Sequence, residues 1–209
     1  MSEIKVNKIS PATSTDITLG DSGDTFTVPS GATIVNSGTA TGFGGGKVNQ
    51  IVQGELLVGY RTSTSDTWVD PGLSATITPS AADSKVFVNI SNGMVGGENT
   101  ADSVGARIHR SISGGASGEI GMPTQGSYHA YGVRGWSLGE DFDHTSSSSG
   151  GSLIISYLDS PATTSATTYK LQMINANPNS MVLNGVHVTT TTASFPITSS
   201  FIQLWEILA

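Results

Sequence analysis

Aromatic and acidic side chains are concentrated in a glycine-rich stretch, residues 121–151, in which no apolar period is sustained. Aromatic rings cover the C–H faces of sugars, while carboxylates and amides hold the sugar hydroxyl groups. A long loop inside a compact domain usually has a function. We therefore expect a saccharide to contact Tyr128, His129, Tyr131, Arg134, Trp136, Glu140 and Asp141. The alternative is that these rings pack beneath the loop or between subunits.

The acidic run at residues 139–144, GEDFDH, is spaced like a loose cation site. Calcium needs more oxygen ligands in a defined order, and zinc needs further imidazoles. A solvated acidic loop is the favoured interpretation, and we predict no metal and no cofactor. His109 and His187 lie in predicted strands and are interpreted as ordinary strand residues. Three copies of either residue on a threefold axis could nevertheless bind an ion.

Motifs for covalent catalysis are absent from the sequence. It contains no Gly-x-Ser-x-Gly, no His-Glu-x-x-His and no cysteine. An enzyme that trims polysaccharide needs only two carboxylates and no strict motif. Carboxylates are sparse here, however, and residues 47–209 are too few for the long solenoid of such enzymes. We predict that the protein is not an enzyme.

The charge and hydropathy of the chain exclude further classes of partner. The chain contains nine Lys and Arg residues and 16 Asp and Glu residues, which gives a net charge of −7, and no segment concentrates the basic residues. Nucleic-acid binding is therefore not expected. No apolar run reaches membrane-spanning or signal-peptide length, so we expect no membrane insertion and synthesis in the cytoplasm of the host cell.

The elements that must position the loop are strands. Apolar residues alternate or cluster at roughly ten-residue spacing between polar turns, and no segment has the caps and period of a helix. The sequence predicts an all-β domain, a sandwich of the jelly-roll kind. The predicted strands are 48–60, with bulges at Gly54 and Gly59, then 73–77, 85–90, 104–112, 182–190 and 201–208.

Three local patterns lead to more specific predictions. Residues 152–174 predict a β-hairpin, with a turn around Asp159, Ser160 and Pro161. The polar, glycine-containing residues 95–102 predict a loop. The closing stretch 201–208, FIQLWEIL, is apolar on both faces apart from Gln203 and Glu206, and we expect both faces to be buried.

The first 46 residues have a different sequence pattern from the rest of the chain. Residues 1–15 alternate weakly, and residues 16–46 carry isolated apolar pairs separated by Asp-Ser-Gly, Pro-Ser-Gly and Asn-Ser-Gly, which predict turns. One such chain loses conformational entropy on ordering and buries almost nothing in return. Three chains wound about one axis could bury the pairs against each other. We therefore predict a docking and shaft segment, 1–46, followed by a head, 47–209.

Specific phrases resemble small fibre-type virion proteins of marine and freshwater phages, including cyanophages. The arm contributes SEIKVNKISPATSTDITLGDSGDTFTVPSGATIVNSGTATGFGG. The head contributes GKVNQIVQ, ITPSAADSKVFV, SYLDSPATTSATTYKLQ and SFIQLWEIL. Together these phrases span most of the chain. The resemblance implies a homotrimer with an N-terminal docking and shaft region, a C-terminal globular head and a place in the virion.

A role in host attachment is what the resemblance implies for function, and it brings no catalytic residues. We expect a trimeric tail fibre whose partners are its own copies, other virion proteins and a host-surface glycan or protein. The alternative is a head fibre or decoration protein on the capsid surface that stabilises the shell. A polysaccharide-trimming enzyme is the least favoured hypothesis. Physical reasoning agrees with three copies, because unpaired shaft strands and a doubly apolar last strand need neighbours.

Overall fold

The computed structural model describes residues 21–25, 27–33, 35, 48–61, 67–97, 104–122, 136–137, 151–175, 180–185 and 197–209. The chain divides into two units, Met1–Phe43 and Gly44–Ala209. In the first unit, every described residue between 21 and 35 is exposed. In the second, the described residues contain strands and no helix, which confirms the all-β prediction.

Eleven strands are described in the second unit, and most of the longer ones contain several β-branched or aromatic residues, which favour strands. In chain order they are β1 Val48–Leu56, β2 Tyr60–Arg61, β3 Ser74–Ile77, β4 Lys85–Gly97, β5 Val104–Ile112, β6 Ser117–Ile120, β7 Trp136–Ser137, β8 Gly151–Asp159, β9 Thr167–Asn175, β10 Met181–Leu183 and β11 Ser200–Ile207.

The strands form two antiparallel sheets. One sheet has six strands in the order β1-β11-β4-β10-β2, with β8 paired to the other side of β4. The second has five strands in the order β3-β9-β5-β6, with β7 also paired to β5. The strand β11 is central because it pairs with β1 on one side and β4 on the other.

One apolar core takes side chains from both sheets. Along the first half of β4 and along β9 and β11 every second residue is buried, as expected for strands with one face toward a core. Each fully buried aliphatic side chain contributes roughly 1.5–3 kcal/mol of burial free energy. The fully buried aliphatic residues include Leu73, Val86, Val88, Ile90, Ile108, Ile155, Leu171, Leu183, Ile202 and Leu204.

The predicted hairpin at residues 152–174 is wrong, although both of its strands exist. The first strand, β8, pairs with β4 in the six-stranded sheet, whereas β9 pairs with β3 and β5 in the other sheet. The intervening segment therefore carries the chain from one sheet to the other. A turn signal predicts where the chain changes direction, but the partner of each strand depends on which distant strand has free backbone groups.

The predicted bulge at Gly54 is also wrong. Gly54 pairs in register with Ile202, and the irregularity of β1 lies between Val48 and Gln50. Glycine is required for a different reason, because a Cβ atom at residue 54 would collide with the carbonyl oxygen of Ser74. Gly59, the other predicted bulge, lies in the short link between β1 and β2.

One further prediction fails where polar residues interrupt the apolar pattern. The predicted loop at 95–102 begins too early, because β4 continues to Gly97 past an irregularity between Ser91 and Met94. Side-chain oxygens of Ser200 and Thr198 accept hydrogen bonds from the backbone N–H groups of Gly93 and Met94. The last strand, β11, buries alternate residues within the single chain, and burial of its other face by a neighbouring copy stays a prediction.

Three of the remaining strand predictions are confirmed, and a fourth is confirmed only at its start. Strands at 73–77, 85–90 and 104–112 are confirmed by β3, the first half of β4, and β5. The strand predicted at 182–190 begins one residue earlier as β10 and ends at Leu183; residues 186–196 lie outside the described residues.

Two of the predicted turns in the arm are confirmed. The Asp24 N–H donates to the Asp21 carbonyl at 3.0 Å, and the Ala32 N–H donates to the Pro29 carbonyl at 3.1 Å. Gly23 has φ 99° and Gly31 has φ 87°, in the left-handed region that glycine adopts without steric cost. The Asn-Ser-Gly turn lies outside the described residues.

Candidate functional surfaces

The structure describes only one of the seven residues predicted to bind a saccharide. Trp136 and Ser137 form β7, which pairs with Ala106 and Gly105 of β5, so the prediction of a loop throughout 121–151 is wrong at these residues and at Gly151. A two-residue strand is too short to give a recognisable alternation. The other predicted residues, Tyr128, His129, Tyr131, Arg134, Glu140 and Asp141, lie outside the described residues, as do 139–144 and His187.

The outward face of the five-stranded sheet is charged. Polar residues of β5 and β9 alternate with the buried ones, and cross-strand pairing places Arg107 opposite Gln172 and His109 opposite Lys170 and Glu119. The segment before β3 adds one aromatic ring and one carboxylate. We define the charged face as Trp68, Asp70, Arg107, His109, Glu119, Lys170 and Gln172.

Direct contacts connect the side chains of the charged face. The Arg107 guanidinium carbon lies 4.3 Å from the centroid of the Trp68 ring, and its Nε donates to Gln172 Oε1 at 2.8 Å. Such a cation–π contact contributes about 0.5–1 kcal/mol at an exposed site. The Lys170 ammonium contacts the Asp70 carboxylate at 2.7 Å. This face offers hydrogen-bond donors and acceptors on β5, β6 and β9 and an aromatic ring on the segment before β3.

His109 has an environment that favours its neutral form. Burial lowers the pKa of the imidazole, and the positive charges of Lys170 and Arg107 lower it further, against opposing effects of Glu119 and Asp70. Nε2 lies 3.4 Å from Ser117 Oγ, and Nδ1 is buried with no partner among the described residues. The interpretation of His109 as an ordinary strand residue fits its position on β5.

The outward face of the six-stranded sheet is uncharged at its centre, with Lys85 and Glu55 at its margins. Cross-strand register aligns its residues in rows that run from β8 through β4 and β11 to β1. One row is apolar and the next consists of a hydroxyl and three amides. We define the uncharged face as these two rows: Leu158, Phe87, Trp205 and Ile51, followed by Ser156, Asn89, Gln203 and Gln53.

The apolar row is most exposed at its two ends. Ile51 is 56% exposed and Leu158 is 51% exposed, whereas the aromatic residues between them are half-buried. The rings of Phe87 and Trp205 meet edge to face, with centroids 6.2 Å apart. A depression lies over the amide-containing row instead, and it is lined by Gln53, Asn89, Ser91, Phe201 and Gln203.

The amide row is held in place by hydrogen bonds between strands. Ser156 Oγ donates to Asn89 Oδ1 at 3.0 Å, and Gln203 Nε2 donates to Gln53 Oε1 at 2.9 Å. An amide carries two donors and one acceptor oxygen with two lone pairs, so each retains capacity for another partner. The uncharged face thus combines exposed aliphatic groups with ordered neutral polar groups.

Glu206 is a fully buried carboxylate on β11. Its Oε1 accepts hydrogen bonds from the Ser80 backbone N–H, Ser80 Oγ and Ser84 Oγ at 2.6–2.8 Å. Its Oε2 accepts from Asn49 Nδ2 at 2.8 Å and Gln50 Nε2 at 2.7 Å. Burial raises the pKa of Glu206, but the hydrogen bonds outweigh burial and lower it to about 2. The carboxylate connects β1 and the segment before β4 to β11.

Asp159 is the second buried carboxylate among the described residues, at the end of β8. Arg110 Nη1 donates to both of its oxygens at 2.9 Å, and the Tyr169 hydroxyl donates to Oδ2 at 2.7 Å. Burial, followed by the bond to Asp159, raises the pKa of Tyr169 far above its usual value. This cluster joins the two sheets, because Arg110 and Tyr169 belong to the five-stranded one. Both buried carboxylates are therefore held by hydrogen bonds from their own chain.

Sequence reasoning missed the charged face. Trp68, Arg107 and Lys170 are separated by dozens of residues and come together only through strand pairing. One pattern in the sequence could have indicated this face. On the predicted strand 104–112, Arg107 and His109 alternate with the apolar Ala106 and Ile108.

Comparison with known proteins identifies no family. The sequence matches no protein-family model and none of the curated proteins. Within the described part of the chain, no cluster of three or more His, Asp or Glu residues is arranged to hold a metal ion. Nor does that part contain a helix with the length and hydropathy needed to cross a bilayer.

Proposed function

We propose that this chain is a non-enzymatic structural protein of a phage virion, a homotrimeric tail fibre that attaches the particle to the host surface. Residues 1–15 dock on other virion proteins, and residues 16–46 of three copies form an intertwined shaft. Residues 47–209 form the head, in which the two sheets pack as a jelly-roll-like sandwich. The tail is the favoured location, with the capsid surface as the alternative.

The arm is the observation that carries this proposal. Its described residues between 21 and 35 are all exposed, and Val35 remains 81% exposed. The turns at Gly23 and Gly31 divide it into short segments, and the described residues of these segments include no buried apolar side chain. An ordered chain of this kind needs neighbours to offset its lost conformational entropy. Identical neighbours in a fibre provide them without a separate partner protein.

The head offers two chemically distinct outer faces, which supports separate roles in assembly and attachment. The uncharged face suits contact with another protein surface. The charged face suits a hydroxyl-rich ligand, because it combines the Trp68–Arg107 pair with carboxylates and an amide. Strand β7 links the predicted receptor loop to β5, the strand that carries Arg107 and His109. Three weak sites on each fibre would raise avidity without a strong single site.

Immunoelectron microscopy of intact particles tests the proposal. We would label particles with antibody against the head, using particles from a strain that lacks this protein as the control. Label at the tail supports the attachment fibre. Label over the shell replaces it with the head fibre or decoration protein, which resistance of capsids to heat would then examine. Absence of label from all particles would reject a virion protein.

A receptor assay tests the attachment role separately. Purified protein is incubated with host cells and with their extracted surface glycan, and binding is measured by sedimentation. We expect binding to both. Release of new reducing ends from the glycan would instead revive the polysaccharide-trimming enzyme.

A further inference from the structure

We infer that copies of this chain meet through the uncharged face, with the Ile51 end of one apolar row against the Leu158 end of the next copy's row. The occupant of this face is thus a second copy of the same chain. The number of copies, three, rests on the proposed function. The choice of face rests on the contacts and exposures of β1, β4, β8 and β11.

The apolar row is too continuous for a surface that faces only water. Leu158, Phe87, Trp205 and Ile51 are consecutive cross-strand partners, so their side chains form one band across four strands. Four strands spaced about 4.8 Å apart make a band roughly 15–20 Å long. Single exposed apolar residues are normal on soluble proteins, but contiguous patches mark interaction sites. Ile154, on the same face of β8, is 67% exposed and lies two residues from the amide row.

The charge distribution favours a copy of this chain as the occupant. The chain carries a net charge of −7, so identical copies repel wherever their charged surfaces approach. The eight residues of the uncharged face include no Asp, Glu, Lys or Arg, and the two charges that flank it on the same side of the sheet, Glu55 and Lys85, are opposite in sign, so this repulsion is weak there. The amide row adds a specific advantage, because amides both donate and accept and can pair with identical amides.

Threefold symmetry determines which ends meet. Around a threefold axis each copy contacts two neighbours through different parts of one surface, a heterologous contact. A band that crosses the face from β8 to β1 then presents its Ile51 end to one neighbour and its Leu158 end to the other. These ends are the most exposed members of the row, at 56% and 51%, as expected for groups that the monomer leaves uncovered.

Charged substitutions at the two ends test this interface in the full-length protein. The variants Ile51→Lys and Leu158→Glu are compared with wild type by native mass spectrometry and light scattering across a dilution series. We expect wild type to be a trimer. Each variant should raise the subunit concentration at half-dissociation at least about tenfold, since an unpaired charge at an apolar contact is costly. The matched control is Ile197→Lys, since Ile197 is 79% exposed and outside the uncharged face; this variant should remain trimeric.

The double variant Ile51→Lys/Leu158→Glu tests how the ends are paired. In the proposed contact the introduced lysine of one copy faces the introduced glutamate of the next, so the double variant should recover trimers lost in the single variants. Circular dichroism verifies that all variants retain the β fold. A monomeric wild type, including one whose uncharged face binds another protein or a saccharide, would overturn the inference. Single variants that dissociate no more readily than the control would exclude this face, and a double variant without recovery would exclude the end-to-end pairing.

The antibody labelling of particles and the measurement of the oligomeric mass test the proposed function and this inference independently. A trimer that uses the uncharged face but is absent from particles keeps this inference and removes the proposed function. A particle-bound protein whose variants stay trimeric does the reverse.

Discussion

Glu206 shows how a single buried charge can hold several segments together. Five neutral groups donate hydrogen bonds to its two oxygens, and they come from β1 and the segment before β4. Hydrogen bonds to an ionised acceptor are about twice as strong as neutral ones. All five donors need an acceptor, and a carboxylate provides two acceptor oxygens and no donor. It therefore fits this site better than any other side chain.

We expect Glu206→Gln to destabilise the head by roughly 2–4 kcal/mol. The glutamine keeps the volume but replaces one acceptor oxygen by an NH₂ group, which faces donors of Ser80 or of Asn49 and leaves them unsatisfied. Urea denaturation monitored by tryptophan fluorescence measures the change. Glu55→Gln makes the same substitution at an exposed position of β1 and should stay within about 0.5 kcal/mol of wild type. Equal effects of the two substitutions would contradict this role of Glu206.

The same carboxylate predicts a pH dependence of stability. The pKa of Glu206 is lowered from 4.5 to about 2 in the folded protein, so the unfolded chain takes up the proton first as the pH falls. The contribution of Glu206 is therefore complete above about pH 4.5 and is lost progressively toward pH 2. Thermal unfolding between these values should show a steeper loss of stability in wild type than in Glu206→Gln. Parallel curves for the two proteins would argue against the lowered pKa.

At the scale of elements, the close approach of β1 and β3 depends on one missing side chain. A Cβ atom at Gly54 would overlap the Ser74 carbonyl oxygen and approach the Ile202 side chain. Backbone cannot move aside as the end of a flexible side chain can. The Gly54→Ala variant should therefore be destabilised by about 1–3 kcal/mol or more, as in overpacked cores.

Gly118→Ala provides the comparison for this variant. Gly118 also lies in a strand, β6, but a Cβ atom there has no atom within 4 Å. We expect Gly118→Ala to be neutral or slightly stabilising, because alanine restricts the unfolded chain more than glycine does. Chemical denaturation of both variants measures the difference, and an equal loss of stability would show that space at residue 54 is not limiting.

Local patterns predicted the elements better than their partners. Alternation in β3 and β5 identified those strands, because the period of two is a property of adjacent residues. The hairpin at 152–174 failed because pairing of β8 with β4 and of β9 with β5 is decided by distant segments. For the same reason the charged face was missed. The all-β class was predictable, since it depends on composition and period rather than on register.

At the scale of the molecule, charge is distributed unevenly over the two sheets. The outward face of one sheet combines Arg107, Lys170, Asp70 and Glu119, while the central rows of the other contain no charged residue. A neighbouring surface would stabilise the exposed apolar groups of the uncharged face, whereas water or a polar ligand would stabilise the charged groups of the other sheet.

We predict that deletion of residues 1–46 leaves a folded head but abolishes incorporation into particles. The head has its own core of buried residues from both sheets, whereas the described arm residues contribute none. Circular dichroism and thermal unfolding of 47–209 measure folding, and immunoblots of purified particles measure incorporation, with full-length protein as the control. A truncated protein that remains on particles would place the docking contacts in the head. A second copy and a virion protein would then compete for the uncharged face. The effect of the Ile51→Lys variant on particle binding would distinguish these two occupants.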